Sequence, residues 1–518
     1  MCNNLGAMKR RQLHSIALML CAIWHGLQAQ AQQAHSLTFN DYAPQHLDLQ
    51  LASQPQSGFF AFPGIGNASV AFSNSMLHPA TWLTQSSNED LATLNLDEVY
   101  SAWDGSNRLA ADVQVDWFQF GKFFKGKRSF VHGGIREFAH ISIALPSDLL
   151  RLPFTGNANS ELLEGGSLDF SDLGFKTEQR RSFYLGWQRN WSEKWSTGIR
   201  LNYLRGIRHA QFSVQNVGWQ TDASNWDWSF SGEGMIQSSG MWPLMQLIDS
   251  GNVTDAQVQQ IKDELLTGVG NGFAIDLGVE YRIHPSWMAF AQINDVGGIQ
   301  WKEDVKNYTT QPTSVAFTGL ELSVAEDWAM GEAEDSLATW GSAIAEDLEE
   351  DLALSENSIS YRTGTGAVWS VGTEFIPWPD VRWKPSLGMM LRKRQGLPLS
   401  WRTSWNQQWG KWMKTSLTFG VRDGLGSSAG MSVALNAGPL LITVAADSHR
   451  MLNWTAFSWQ DSATAERMPV YLPTNAPSIQ VQLGIVWRMG WMSKSASPPP
   501  KPECEPFALP SSTSSPQF

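Results

Sequence analysis

The sequence predicts an all-β protein, a transmembrane antiparallel β-barrel of roughly 12–16 strands with helical loop inserts. Three observations predict it. The first is alternation. Phe273, Ile275, Leu277, Val279 and Tyr281 share one side of a run while Ala274, Asp276, Gly278 and Glu280 share the other. A period of two places successive side chains on opposite faces of a strand. The second is length: such runs extend over roughly nine to thirteen residues, longer than the usual strand of a soluble sheet and matched to a tilted bilayer crossing. The third is the lack of other means of support. Once an N-terminal leader is removed, Cys504 alone remains of the 3 cysteines, so no internal disulfide can form. A large secreted chain then depends on a big core or a closed sheet.

Lys9, Arg10 and Arg11 precede a short apolar run from Ile16 to Trp24, and Ala29-Gln30-Ala31 offers a small-residue cleavage site. Residues 1–31 therefore read as a secretory signal peptide. No later stretch supplies about twenty unbroken apolar residues, so helical spans are not expected. Residues 32–110 read as an N-terminal segment, irregular and rich in Asn, Ser, Gln and Pro, holding a first strand and a plug folded inside or against the barrel.

The barrel itself is assigned to 111–492. Its early strands are Val113 to Phe120 and Phe138 to Leu145, followed by a connection from Pro146 to Gln179 with no clear period. The next pair places Phe183, Leu185 and Trp187 opposite Tyr184, Gly186 and Gln188, and Ile199, Leu201 and Tyr203 opposite Arg200 and Asn202. The hairpin of Phe273 turns at His284-Pro285 and returns from Trp287 to Asp295, ending in Gly297-Gly298. From Gly366 the chain is nearly all hairpins, and Ile479, Val481, Leu483, Ile485 and Trp487 alternate most clearly. The strand count is on the order of fourteen.

Two inserts interrupt the strands, near 240–268 and 321–356. In the first, Thr254 and Gln257 form a capping-box pattern ahead of Val258, Ile261, Leu265 and Leu266 at helical spacing. The second holds no Lys, Arg or His, and its acids equal the chain's formal charge of -12. It reads as a solvated appendage; the spaced Asp and Gly of a calcium loop are missing. Residues 493–518 form a disordered Pro- and Ser-rich tail.

A soluble barrel would bury the apolar faces inside, and side chains could not fill the interior of so many strands. Apolar-outward facing needs a lipid solvent and a closed sheet. Asp276, Glu280, Glu374, Arg392, Arg402, Arg422 and Arg488 then face the lumen, where charges of both signs are expected to pair across the interior. The expected location is the outer membrane of a Gram-negative cell.

The set of motifs Phe62-Pro63-Gly64-Ile65-Gly66-Asn67, Leu149 to Asn157, Tyr184-Leu185-Gly186-Trp187, Gly198 to Gly206, Ile275 to Gly278 and Asn294 to Gly297 resembles a known family. It is a Bacteroidota family of outer-membrane β-barrels described only as domain of unknown function 5723. The order and spacing agree over about Gly58 to Trp491. The resemblance implies a barrel fold, loosely like fatty-acid-transporter barrels, and fold does not fix function.

No chemistry stands out. Gly426-Ser427-Ser428-Ala429-Gly430 fits a nucleophile-elbow spacing but lies between two β runs, so it reads as turn chemistry. The histidines lack metal-ligand spacing. The chain is expected to be no enzyme, with no catalytic residue, metal or cofactor. An acidic balance without a basic cluster argues against nucleic acid. The expected partners are outer-membrane lipid, the barrel-assembly machinery and a periplasmic or surface protein. Selective transport of a small or apolar solute leads. A structural or secretion-accessory barrel that anchors partner proteins is the alternative, and an outer-membrane enzyme comes third.

Overall fold

The computed structural model describes residues 34–489, apart from 62–65, 77–82, 86–91, 95–98, 100–102, 104–105, 125–127, 156–166, 223, 225–227, 242–254, 311–312, 318–354, 395–398, 422–426, 450–453, 461–466 and 474–477. The leader, nearly all of the acidic run, the tail and Arg422 thus lie outside the described residues, whereas Ser427 to Gly430, expected as a turn, open the strand Ser427–Ala437 and pair with Met413–Val421.

The wall is a closed antiparallel barrel of 14 strands. Gly58–Ala61 and Asn67–Asn74 act as one broken strand, seated between Ser478–Met489 on one side and Ser106–Phe124 on the other. From there the order follows the chain: Ser129–Pro146, Gly174–Asn190, Trp195–Thr221, Gly270–His284, Trp287–Trp301 and Val368–Phe375. Trp383–Arg394, Ser400–Trp409, Met413–Val421, Ser427–Ala437 and Leu440–His449 lead back to Ser478–Met489. Closure leaves no wall edge unpaired, which a span in lipid requires.

Facing follows the alternation. Leu277 is 44% exposed and Leu483 51%, while their neighbours Asp276 and Gln482 are 0% exposed. The apolar side is outside and the polar side is inside. Short turns gather at one end, as at His284–Trp287 and Ala437–Leu440, and the long connections gather at the other.

Several elements differ from the sequence expectation. The unpatterned connection after Pro146 contains a helix, Ser147–Thr155, and the next strand begins at Gly174 rather than near Phe183. A register shift between Gln179 and Arg180 scrambles the parity there and hides the strand's first part. The return strand of the Phe273 hairpin runs on through the glycines to Trp301. Opposite Asp276 the register also shifts, with Asp295 at φ 55, a bulge that keeps the strand going. Trp195–Thr221 is 27 residues long. Its first part pairs with the wall, and residues 209–221 pair with Trp228–Ser239 in a sheet extension beyond it. The helix predicted after Thr254 is present as Asp255–Thr267.

Candidate functional site: the filled lumen

Residues 34–54 lie inside the barrel. Two short 3-10 turns, His35–Leu37 and Pro44–Asp48, are buried throughout. Ala34, Leu37, Tyr42, Ala43, Leu47 and Leu49 pack with the wall residues Phe59, Phe130, Leu441 and Val486 in one apolar cluster. That accounts for the segment's few apolar side chains. The lumen is the place where they leave water.

Its backbone polar groups are met by the wall instead of by a ladder, as buried peptide groups require. The Ala34 amide donates to Gln482 Oε1 at 2.9 Å and the His35 amide to Asp447 Oδ2 at 2.7 Å. The Leu51 amide donates to Gln292 Oε1 at 2.8 Å, and Asn294 Nδ2 donates to the Asp48 carbonyl at 2.7 Å. Close approach needs wall positions without side chains. A Cβ on Gly388 would lie 2.3 Å from the Phe39 ring, and one on Gly198 2.4 Å from the Leu51 carbonyl oxygen. The glycines on the inward faces therefore do specific work as seats for this segment.

Two carboxylates of the segment, Asp48 and Asp41, are held by wall cations. Arg136 donates to both oxygens of Asp48, at 3.1 and 2.9 Å, and to Asp116 Oδ1 at 2.5 Å. Arg200 donates from Nη1 to the same Asp48 carboxylate and from Nε to Asp276 Oδ2 at 2.5 Å. The result is a chain of alternating sign, Asp116–Arg136–Asp48–Arg200–Asp276, crossing from wall to segment and back. Burial opposes the Asp48 charge, but the two guanidiniums hold its carboxyl well below the usual range. Nearer the short turns, Lys414 Nζ donates to Asp41 Oδ1 at 2.7 Å. Burial again opposes charge there, and the Lys414 ammonium and a hydrogen bond from Gln56 still lower the Asp41 pKa. His46 is different. Burial lowers its pKa, and its Nδ1 sits 2.7 Å from the Ala43 carbonyl, so it is held neutral with the proton on Nδ1.

The residues singled out in the sequence are distributed around this segment. Asp276 joins the chain of charges, and Arg392 Nη1 meets His35 Nε2. Arg402 donates to Asp447 at 2.9 Å. Glu280 accepts from Gln50 at 3.3 Å, and Glu374 from Ser386 at 2.5 Å. Arg488 lies at the short-turn rim, donating to Ser57 Oγ at 3.3 Å. None of these pairs with another of the group among the described residues. Their partners are Arg200, Asp447, Ser386, Ser57 and the segment itself, so the expected pairing across the interior is replaced by pairing to the plug and to other wall residues. Sequence reading missed Arg136, Arg200, Asp447 and Asp48. Arg200 and Asp447 carried a signal, since both alternate with outward apolar residues.

Two spaces remain. A cavity of about 710 Å³ opens at the short-turn end, bounded by Asp41, Gln50, Glu280, Glu374, Lys384 and Lys414. A smaller one of about 80 Å³ lies beside Asp48 and Leu49 toward the long connections, with Arg180, Arg392, Arg394 and Asp295 around it. The segment borders both.

The model of the family of unknown function DUF5723 matches residues 52–447. The chain belongs to this family. No curated protein matches it. Among solved structures it is similar to the Ralstonia pickettii toluene transporter TbuX, at 8% identity and TM-score 0.38, over 86% of this chain and 94% of that one. It is similar to a Pseudomonas aeruginosa FadL homologue at 9% identity and TM-score 0.38, over 89% and 95%. The Pseudomonas putida toluene transporter TodX gives 8% identity and TM-score 0.37, over 89% and 94%. The likeness extends over nearly the whole of each barrel but is too slight to bear on what this family member handles.

Proposed function

We propose that this DUF5723 barrel resides in the outer membrane and passes a small or apolar solute selectively, with residues 34–54 as the barrier that passage must displace. The apolar exterior supports the location, and the short turns would then face the periplasm. The single observation that carries the passage reading is the Asp48 bridge to Arg136 and Arg200. It fastens the barrier to the wall through polar contacts, between the two spaces that the segment borders. The larger space sets Glu280, Glu374 and Lys414 beside Phe39, Met288 and Ile376, a lining that suits a small molecule with both polar and apolar parts. The test is uptake into proteoliposomes holding the intact chain. Accumulation of one solute class above empty vesicles supports the reading; equal leakage of every small solute contradicts it.

The alternative, a structural or secretion-accessory barrel, is favoured by the apolar cluster under Leu37 and Leu47. A barrier packed that firmly suits a wall that passes nothing. Proteoliposomes impermeable to every solute, with a protein recovered on the intact chain from the periplasm or surface, would support it.

A further inference from the structure

The outer face carries a feature that the lumen does not explain. Ten residues separate a rim tryptophan from an outward cation in three places: Trp191, just past its strand, from Arg181, Trp195 from Arg205, and Trp383 from Lys393. A tilted crossing takes about 9–11 residues. Outward Arg costs roughly 2–4 kcal/mol at the bilayer middle and about 0–1 near the interface. These cations thus mark the headgroup level on the long-connection side.

At that level the strands that carry Arg181 and Arg205 bring them side by side, in register across the pair. Glu137 takes up the charge of Arg181 at 2.8 Å. Arg205 meets neutral oxygens only in its recorded contacts: Asn271 Oδ1, the Tyr203 hydroxyl at 3.5 Å and the Gly268 carbonyl at 3.3 Å. Arg181, Glu137 and Arg205 together carry one net positive charge. Directly below, Phe183, Tyr203 and Phe273 stand in register as an aromatic row, with ring centroids 6.2 and 5.2 Å apart. Under that row a groove of about 630 Å³ crosses six neighbouring strands, from Phe118 past Leu185, Leu201 and Ile275 to Val296. That size falls among ordinary ligand pockets. Above it a second hollow of about 330 Å³ shares Phe183 and Tyr203 and is bounded by Arg181, Arg205 and the end of the Asp255–Thr267 helix. Leu266 of that helix is 75% exposed, at the same level.

We propose that this face binds one phosphate-bearing membrane lipid, its headgroup phosphate on Arg205 and Arg181 and an acyl chain in the groove below Phe183 and Phe273. Charge complementarity selects the occupant: a guanidinium without an acid of its own suits a phosphate, and it sits atop a hollow lined by apolar side chains. The charged hollow and the apolar groove meet at Phe183 and Tyr203, and that succession of wet and greasy surface matches a single amphiphile better than a protein surface. The inference rests on the membrane placement proposed above and not on transport.

The test places the intact chain in phosphatidylcholine nanodiscs containing a minor fraction of phosphatidic acid, and counts the lipids retained on the ejected protein by native mass spectrometry. One retained phosphatidic acid is expected. Arg205→Gln should lower its retention about tenfold, the worth of one charge-assisted hydrogen bond. Leu201→Trp, which fills the groove, should lower it as well, and Lys393→Gln, four strands along the wall from Arg205, should not. Every variant is first checked for the mobility difference between heated and unheated samples, so that loss of the barrel is told apart from loss of the lipid. Equal retention in Arg205→Gln, or an equal loss in Lys393→Gln, would overturn the proposal. Displacement of the lipid by inorganic phosphate alone would show a free-ion site instead. Ejection as a dimer without lipid would show that a second copy covers the face.

Discussion

Asp48 and Arg136 meet through two parallel hydrogen bonds, Nη1 to Oδ1 at 3.1 Å and Nη2 to Oδ2 at 2.9 Å. One residue belongs to the segment inside the barrel and the other to its wall, so this pair reports whether the lumen is filled. Asp48→Asn keeps the size and removes the charge that Arg136 and Arg200 share. Breaking a buried pair on one side costs about 3–5 kcal/mol, here offset in part because Asp116 and Asp276 remain with the arginines. The expected outcome is an assembled barrel with raised conductance in a planar bilayer. Conductance unchanged from the parent chain would show that the pair does not hold the segment.

Gly388 offers a steric test of the same seat. Alanine there would bring its Cβ against the Phe39 ring, whose nearest atom lies 2.3 Å away. The Ser404 hydroxyl, which it also meets, can turn aside, whereas the Phe39 ring must shift and take the segment with it. Gly388→Ala should preserve the difference in gel mobility between heated and unheated samples while making residues 34–54 accessible to protease. Protection equal to the parent would contradict the close approach.

Acid should loosen the segment in two windows. His46 is held neutral with its pKa below the ordinary 6.5. Release into water lets it take up a proton, so its contribution to seating is full above about pH 6.5 and falls as the pH drops toward its lowered value. Asp41 and Asp48 have pKa values lowered from 3.8. Their contribution is full above that value and is lost as the pH falls below it. Conductance measured from pH 8 to pH 3 should rise first below about 6.5 and again below about 4. His46→Gln should abolish the first rise and keep the second. A first rise that survives His46→Gln would assign it to another group.

Facing has its own test. Leu277 is 44% exposed on the apolar exterior, and its neighbour Asp276 is buried against Arg200. Leu277→Arg should cost about 2–4 kcal/mol near mid-bilayer and reduce assembly. Leu277→Phe should assemble as the parent does. Normal assembly of Leu277→Arg would mean that this face does not meet lipid.

Much of the wall was legible because a strand with lipid on one side and water on the other must alternate. Phe273 to Tyr281 and Ile479 to Trp487 announce their facing at every position. Legibility failed where the wall bulges. The register shifts beside Arg180 and opposite Asp276 break parity, and the strand from Gly174 was lost with it. Of the site, the wall acids and arginines were readable from parity, Arg200 and Asp447 by the same rule as Asp276. Their partners were not. Asp48 and His46 sit in irregular chain with no period, and only the closed barrel determines which wall residues they meet. Inward glycines such as Gly278 were visible in the alternation, but the use of such positions as seats for Phe39 and Leu51 depends on the segment's path.

The central claim is that residues 34–54 close the barrel, and single-channel recording in a planar bilayer tests it most directly. The intact chain should show little conductance, and a chain lacking residues 32–54 should open steady channels while still resisting unheated detergent. Large, steady channels from the intact chain would contradict the account and make the protein an open pore.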